Sequence, residues 1–163
     1  MKIKLLTLVA LLGIFIGCKE DDPEPLAIEK MTVMLAGKKG ESKTWKLESG
    51  SLSVNGGANQ TLNFVACFTD NLYEFSNNDS QDYEGASKCE TTDPTITEYG
   101  NWALTFEGEL IIFAAIDILS NNFSFGNLTC EIVTLTAEEL SISFEFEDNE
   151  GDNLEYTLGF EAQ

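Results

Sequence analysis

Over 163 residues the chain carries nine lysines, no arginine and no histidine against 28 aspartates and glutamates, a net charge of −19. That balance argues against nucleic-acid binding, which needs clustered Lys and Arg to neutralise phosphates, and against recognition of anionic groups by arginine forks. Without histidine the chain holds no Ser-His-Asp or Cys-His nucleophile and no His-ligated zinc site of its own.

The charge is unevenly placed. Residues 19–46 hold six lysines and six acids, whereas residues 47–163 hold 22 acids and one lysine, Lys88. The surplus reads as solubility and mutual repulsion on a crowded surface; attraction of a cationic partner or divalent cations is the sharper alternative. The length suits one domain with a core of its own.

Residues 1–17 read as a secretory signal: Lys2 and Lys4 are basic, Leu5 to Gly17 is apolar but short for a membrane span, and a cysteine follows. Phe15-Ile16-Gly17-Cys18 resembles a lipoprotein signal-peptidase box, with Phe15 where Leu is more usual. Cys18 is therefore the expected lipidation site and the expected link to a membrane. Residues 18–25 continue as Lys19-Glu20-Asp21-Asp22-Pro23-Glu24-Pro25, a charged, proline-stiffened tether that cannot fold. This tether resembles the acidic export tag that places lipoproteins of Bacteroidota on the outer face of the outer membrane; a periplasmic spacer is the alternative.

The folded domain is expected over residues 26–163. Ile28, Met31 and Leu35 recur at helical spacing, and Gly37 ends that run with Lys38 and Lys39 at its C-terminus. The period then changes to two. Trp45 and Leu47 begin a strand that fades into Ser49, Ser51 and Ser53, and Asn55-Gly56-Gly57 is a turn. Gln60–Ala66 is a strand candidate. Leu72–Ser76 and Gln81–Ser87 form a hairpin, Tyr99–Phe106 an aromatic strand, and Leu110–Ala115 a short apolar one. Residues 116–127 fit no single pattern. Leu128–Leu135 is a strand, and Leu140–Phe146 and Leu154–Phe160 alternate strictly between apolar and polar residues. About eight or nine strands without crossover helices predict an all-β, antiparallel, up-and-down barrel, whole or incomplete, with a short N-terminal helix against one end.

In this order Thr44-Trp45-Lys46-Leu47, Cys67 with Asp70-Asn71-Leu72-Tyr73-Glu74-Phe75, Cys89, Gly100-Asn101-Trp102-Ala103-Leu104 and Ile132-Val133-Thr134-Leu135-Thr136 with Leu140 resemble the lipocalin-like domain family of Bacteroidota surface lipoproteins, over about residues 28–161. One position departs: Lys43 stands where the family commonly has glycine. The resemblance implies a lipocalin-like barrel with a binding mouth at one end, no catalytic residue and no fixed ligand.

With Cys18 committed to lipid, Cys67, Cys89 and Cys130 remain in an oxidising compartment. A Cys67–Cys89 disulfide is expected, because the pair brackets one hairpin; a bridge closing such a loop contributes roughly 3 kcal/mol in the chain-entropy model. Cys130 alternates with Leu128 and Ile132 and is expected in the core. The acidic stretch Glu147–Asn153 reads as a solvated hairpin turn, a weak calcium loop being the alternative; its Gly151 is misplaced for an EF-hand. Neither a metal nor a cofactor is expected.

Alternation points Trp45, Tyr73, Phe75, Trp102, Phe106, Phe144, Phe146, Tyr156 and Phe160 inward. Small barrels either fill with side chains or hold one small ligand, and both outcomes stay open here. The expected function is a non-enzymatic, monomeric outer-membrane lipoprotein that binds a small apolar or amphipathic ligand among these rings. The alternative is a cell-surface interaction module that docks a protein or glycan on a filled barrel.

Lipidation is checked directly. Cys18→Ala should leave the protein uncleaved or unanchored, and a diacyl mass persisting in that variant contradicts the assignment. In intact cells protease should reach the domain, and replacing residues 19–22 by alanine should shield it.

Overall fold

The computed structural model describes residues 27–76, 79–83, 85, 87–92, 95–105, 108–114 and 127–163. The signal, Cys18, the tether, Phe106 and most of the unassigned 116–127 stretch lie outside the described residues. The elements are helix α1 (Ala27–Ala36), strands β1 (Ser42–Val54) and β2 (Gln60–Thr61), a single helical turn α2 (Ala66–Thr69), then β3 (Leu72–Ser76), β4 (Asp79–Tyr83), β5 (Ile96–Leu104), β6 (Leu110–Ala114), β7 (Asn127–Leu135), β8 (Glu139–Glu147) and β9 (Asn153–Ala162).

Every pairing is antiparallel, and from β3 to β9 each strand pairs with the next in sequence. β1 pairs β3 at one edge and β9 at the other, from Trp45↔Ala162 to Val54↔Leu154, so the ladder returns to its first strand. The result is an eight-stranded antiparallel up-and-down barrel plan in which, among the described residues, β1 is paired on both edges. Two-residue β2 is an appendage on β1. The wall is uneven: β1 and β9 pair along most of their length, whereas the described pairs of β5 with β6 run only from Trp102↔Phe113 to Leu104↔Ile111.

Two bulges shape the core. In β1 the register shifts between Leu47 and Ser49. The inward set therefore runs Trp45, Leu47, then Gly50, Leu52 and Val54, in the opposite phase to Ser49, Ser51 and Ser53, of which Ser53 is buried and donates to the Gly57 carbonyl at 3.1 Å. One extra residue reverses the alternation beyond it. A second shift between Ile132 and Thr134 lets Leu135 rejoin Leu128, Cys130 and Ile132 against the core.

The expected strand at Gln60–Ala66 is corrected. Only Gln60 and Thr61 pair, and Ala66–Thr69 is helical. The Leu62 N–H still donates to the Gly50 carbonyl at 2.9 Å, and the next β1 residues, Leu47–Ser49, carry the bulge, so the regular ladder goes no further. The hairpin's second strand sits earlier than Gln81–Ser87, and β5 starts before Tyr99.

Helix α1 closes one end of the barrel. Leu35 and Ala36 are fully buried, and the helix touches β1, β3 and β7. Its stop is as expected: Gly37 has φ +80° and its N–H returns to the Val33 carbonyl at 3.0 Å. The buried Trp45 indole N–H donates to the Leu35 carbonyl at 2.8 Å. Lys43 Nζ donates to the carbonyls of Met34 (2.7 Å) and Ala137 (2.6 Å) and lies 4.1 Å from the Trp45 ring centroid. The lysine that departs from the family pattern thus ties the helix C-terminus to the β7–β8 turn, where a cation also meets the negative end of the helix dipole. Partial burial pushes its pKa below the ordinary lysine value.

Trp45→Phe keeps the ring but strands the Leu35 carbonyl in the core. Urea denaturation should show a loss of about 1–3 kcal/mol with an unchanged slope.

Candidate ligand-binding site

With α1 covering one end, the inward-facing wall can be followed from there toward the opposite end. Among the described residues, the turn after β1, the part of the connection after β4 that is tied to α2, and the β8–β9 turn lie at that end. Cross-strand register on β8, β9 and β1 sorts the inner wall into rows. From the sealed end upward they are Leu140–Phe160–Leu47, Ile142–Leu158–Gly50, Phe144–Tyr156–Leu52 and Phe146–Leu154–Val54.

Burial falls along this series. The side chains of the first two rows are at most 6% exposed. In the third, Phe144 is buried while Tyr156 and Leu52 are half-buried, and the whole fourth row is half-buried. Solvent therefore reaches inward-facing apolar side chains at this end. The Tyr156 ring lies parallel to two others: its centroid is 5.5 Å from those of both Phe144 and Phe146, with interplanar angles of 8° and 10°. Burial pushes the Tyr156 phenol above its ordinary pKa, so it is uncharged at neutral pH. These rows contain no ionisable group other than that phenol.

The candidate rings divide into two sets. Trp45, Tyr73, Phe75 and Trp102 are spent on packing in the lower interior. Tyr73 meets Phe160 edge-on at 5.6 Å and Phe75 meets Trp102 edge-on at 6.2 Å. The Trp102 indole donates to the Ser76 carbonyl at 2.9 Å. Phe144, Phe146 and Tyr156 form the second set, at the open end. Phe106 lies outside the described residues. Phe113, fully buried and 5.9 Å from Phe75, belongs to the first set but was not among the expected rings. Its strand is uniformly apolar, so alternation assigns it no face; only the register with Trp102 does.

Phe64 and Phe68 are also new to the interior, both packed against the core. Phe64 precedes α2 and Phe68 lies within it, and α2 is held at the open end by three ties. Cys67 is bonded to Cys89, the pairing expected from the hairpin they bracket. The Asp70 carboxylate accepts from the Ser87 N–H and the Asn71 side-chain oxygen from the Gly85 N–H, each at 2.8 Å. Bridge and hydrogen bonds together pin the connection before β3 to the one after β4.

The acidic turn between β8 and β9 spends carboxylates on its own backbone. Asp148 Oδ1 accepts from the N–H groups of Glu150 (2.8 Å) and Asp152 (3.0 Å), and Asn55 Nδ2 donates to Asp152 at 2.7 Å. Among the described residues no group of three or more potential ligands is placed to hold a metal ion. A separate groove of about 480 Å³ lies on the wall of β1, β7, β8 and β9, lined by Glu48, Glu138, Glu139 and Glu161 with Ser49 and Ser141.

No family model and no curated protein matches this chain. Among solved structures it is similar to a lipocalin-like protein from Bacteroides uniformis, at 16% identity and a TM-score of 0.38 over 69% of this chain and 93% of that one. It is also similar to the isotype 1 transferrin binding protein B of serogroup B Neisseria meningitidis, at 12% identity and a TM-score of 0.33, over 75% of this chain but only 25% of that one. At these values the fold is argued from the strand pairings themselves.

Cys130 is fully buried beside the site, and burial pushes its thiol up to about 12. An unfolded thiol ionises from about pH 9, so between about pH 9 and 12 the unfolded state binds fewer protons and stability falls as pH rises. Cys130→Ala should flatten that part of the pH–stability curve, measured by denaturant titration at successive pH values. Native Cys130 should resist alkylation until denaturant is added.

Proposed function

We propose that this chain is a non-enzymatic, lipid-anchored outer-membrane lipoprotein whose barrel takes up a small apolar or amphipathic ligand, neutral or cationic, at its open end. The observation that carries the reading is the burial gradient on β8, β9 and β1. The same inward face is close-packed near α1 and half-exposed at the Phe146–Leu154–Val54 row. A concave apolar wall with few polar groups is the usual lining of a small-molecule site, and the parallel rings of Phe144, Tyr156 and Phe146 offer stacking and dispersion.

Charge narrows the ligand class. Asp148, Glu150 and Asp152 lie on the turn at the open end, and Lys88 is the sole lysine after position 46. An anionic head group would meet repulsion there, so the ligand is neutral or cationic. Buried ligand surface contributes roughly 25 cal/mol per Å² before the losses of freedom on binding, which places a small ligand near micromolar affinity. Export and anchoring rest on Cys18 and the tether. The second reading, a surface interaction module, draws on the acidic groove outside the barrel, which suits a cationic partner.

The readings separate by salt. Titration with neutral apolar fluorophores should saturate, and the affinity should persist at high ionic strength. Tyr156→Ala and Phe146→Ala should each weaken binding about tenfold, the loss of one stacked ring. If no neutral probe binds below about millimolar, or if binding vanishes with salt, the interaction-module reading replaces this one.

A further inference from the structure

One inward position on β1 has no side chain. Gly50 pairs with Leu158, which is fully buried, so Gly50 faces the middle of the barrel. A Cβ there would stand 2.5 Å from Cζ and 2.7 Å from Cε2 of Phe64, and 3.3 Å from Cδ2 of Leu158. The notch left by the glycine is filled by a ring from the loop after β2.

That ring is placed by its neighbours in the chain. The Leu62 N–H donates to the Gly50 carbonyl at 2.9 Å, carrying the chain back over β1. Two residues on, Phe64 turns inward while Val65 is 58% exposed. The chain then enters α2, fixed by the Cys67–Cys89 bridge and by the hydrogen bonds of Asp70 and Asn71. Phe64 sits at the row of Ile142, Leu158 and Gly50, where the packed half of the interior gives way to the half-exposed one.

We propose that Phe64, seated over Gly50, is the specificity-determining residue of the open-end site, forming its floor and setting how far an apolar ligand reaches into the barrel. The inference rests on the ligand-binding reading above. It defines the ligand as a length-limited apolar molecule, one that stacks on Tyr156 and Phe146 and ends against the Phe64 ring. Removing the ring opens a path to Leu158, and a methyl group at position 50 drives the ring toward the mouth.

The experiment uses the whole domain with the neutral fluorophore phenylnaphthylamine, displaced by primary alkanols from hexanol to tetradecanol. Each methylene that gains burial tightens binding about fourfold. In the wild type this gain should stop at a definite chain length. In Phe64→Ala it should continue for about three further methylenes, and in Gly50→Ala it should stop earlier. Phe64→Leu, which shortens the reach but keeps the packing, should fall between wild type and Phe64→Ala, and it serves if the alanine variant does not fold. Gly50→Ala should also lower Tm in the wild type and much less in the Phe64→Ala background. A length limit identical in wild type and Phe64 variants overturns this inference and leaves the ligand-binding reading standing. Fluorophore binding gained only on truncating Phe64 supports the inference. Absence of binding in every variant defeats both.

Discussion

The indole N–H of Trp45 donates to the carbonyl of Leu35 at a point where both residues are fully buried. A carbonyl in the last turn of a helix has no partner within the helix, and burying it unpaired is costly. The bond therefore makes it possible for α1 to end inside the barrel rather than beside it. Lys43 supplies the neighbouring Met34 carbonyl in the same way and reaches across to Ala137. Once the helix is seated, Leu47, Leu158 and Phe113 have an apolar floor and pack completely.

Much of this architecture is legible in the sequence, and where legibility fails the cause is local. The strands β8 and β9 alternate without interruption, and their inner and outer faces are read correctly residue by residue. In β1 the same rule misleads after Leu47, because a bulge moves the inward set to Gly50, Leu52 and Val54. The dipeptide Glu48-Ser49 carries no mark of it; the surviving signal is the apolar pair Leu52 and Val54 in the opposite phase. β6 fails differently. Leu110–Ala114 is apolar throughout, so its inward residues emerge only from the pairing with β5 and β7.

The open end was the least legible part, because its residues come from connections rather than strands. Phe64 belongs to the segment Gln60–Ala66, whose composition suits a strand, yet only Gln60 and Thr61 pair and the ladder ends where β1 bulges between Leu47 and Ser49. A bulge in the partner strand is a tertiary effect that no local propensity contains. The Cys67–Cys89 bridge was readable from spacing around the hairpin, but its larger consequence was not. It fastens the connection that carries Phe64 and Phe68, where few ladder hydrogen bonds are available to do so.

The interior is thus divided along its axis into a close-packed half and a partly exposed one. Near α1 each ring is committed: Trp45 and Trp102 donate to backbone carbonyls, and Tyr73 and Phe75 meet other rings edge-on. Toward the mouth the inward residues of β8, β9 and β1 lose cover without changing chemistry. Their outward neighbours Glu145, Glu147 and Glu155 keep charge on the opposite face of the same strands. The alternation that hides apolar residues in the lower half leaves them partly exposed in the upper half. Changes in the lower rows therefore act through the fold, whereas changes at Phe146, Tyr156 and Phe64 alter inward-facing apolar side chains that solvent partly reaches.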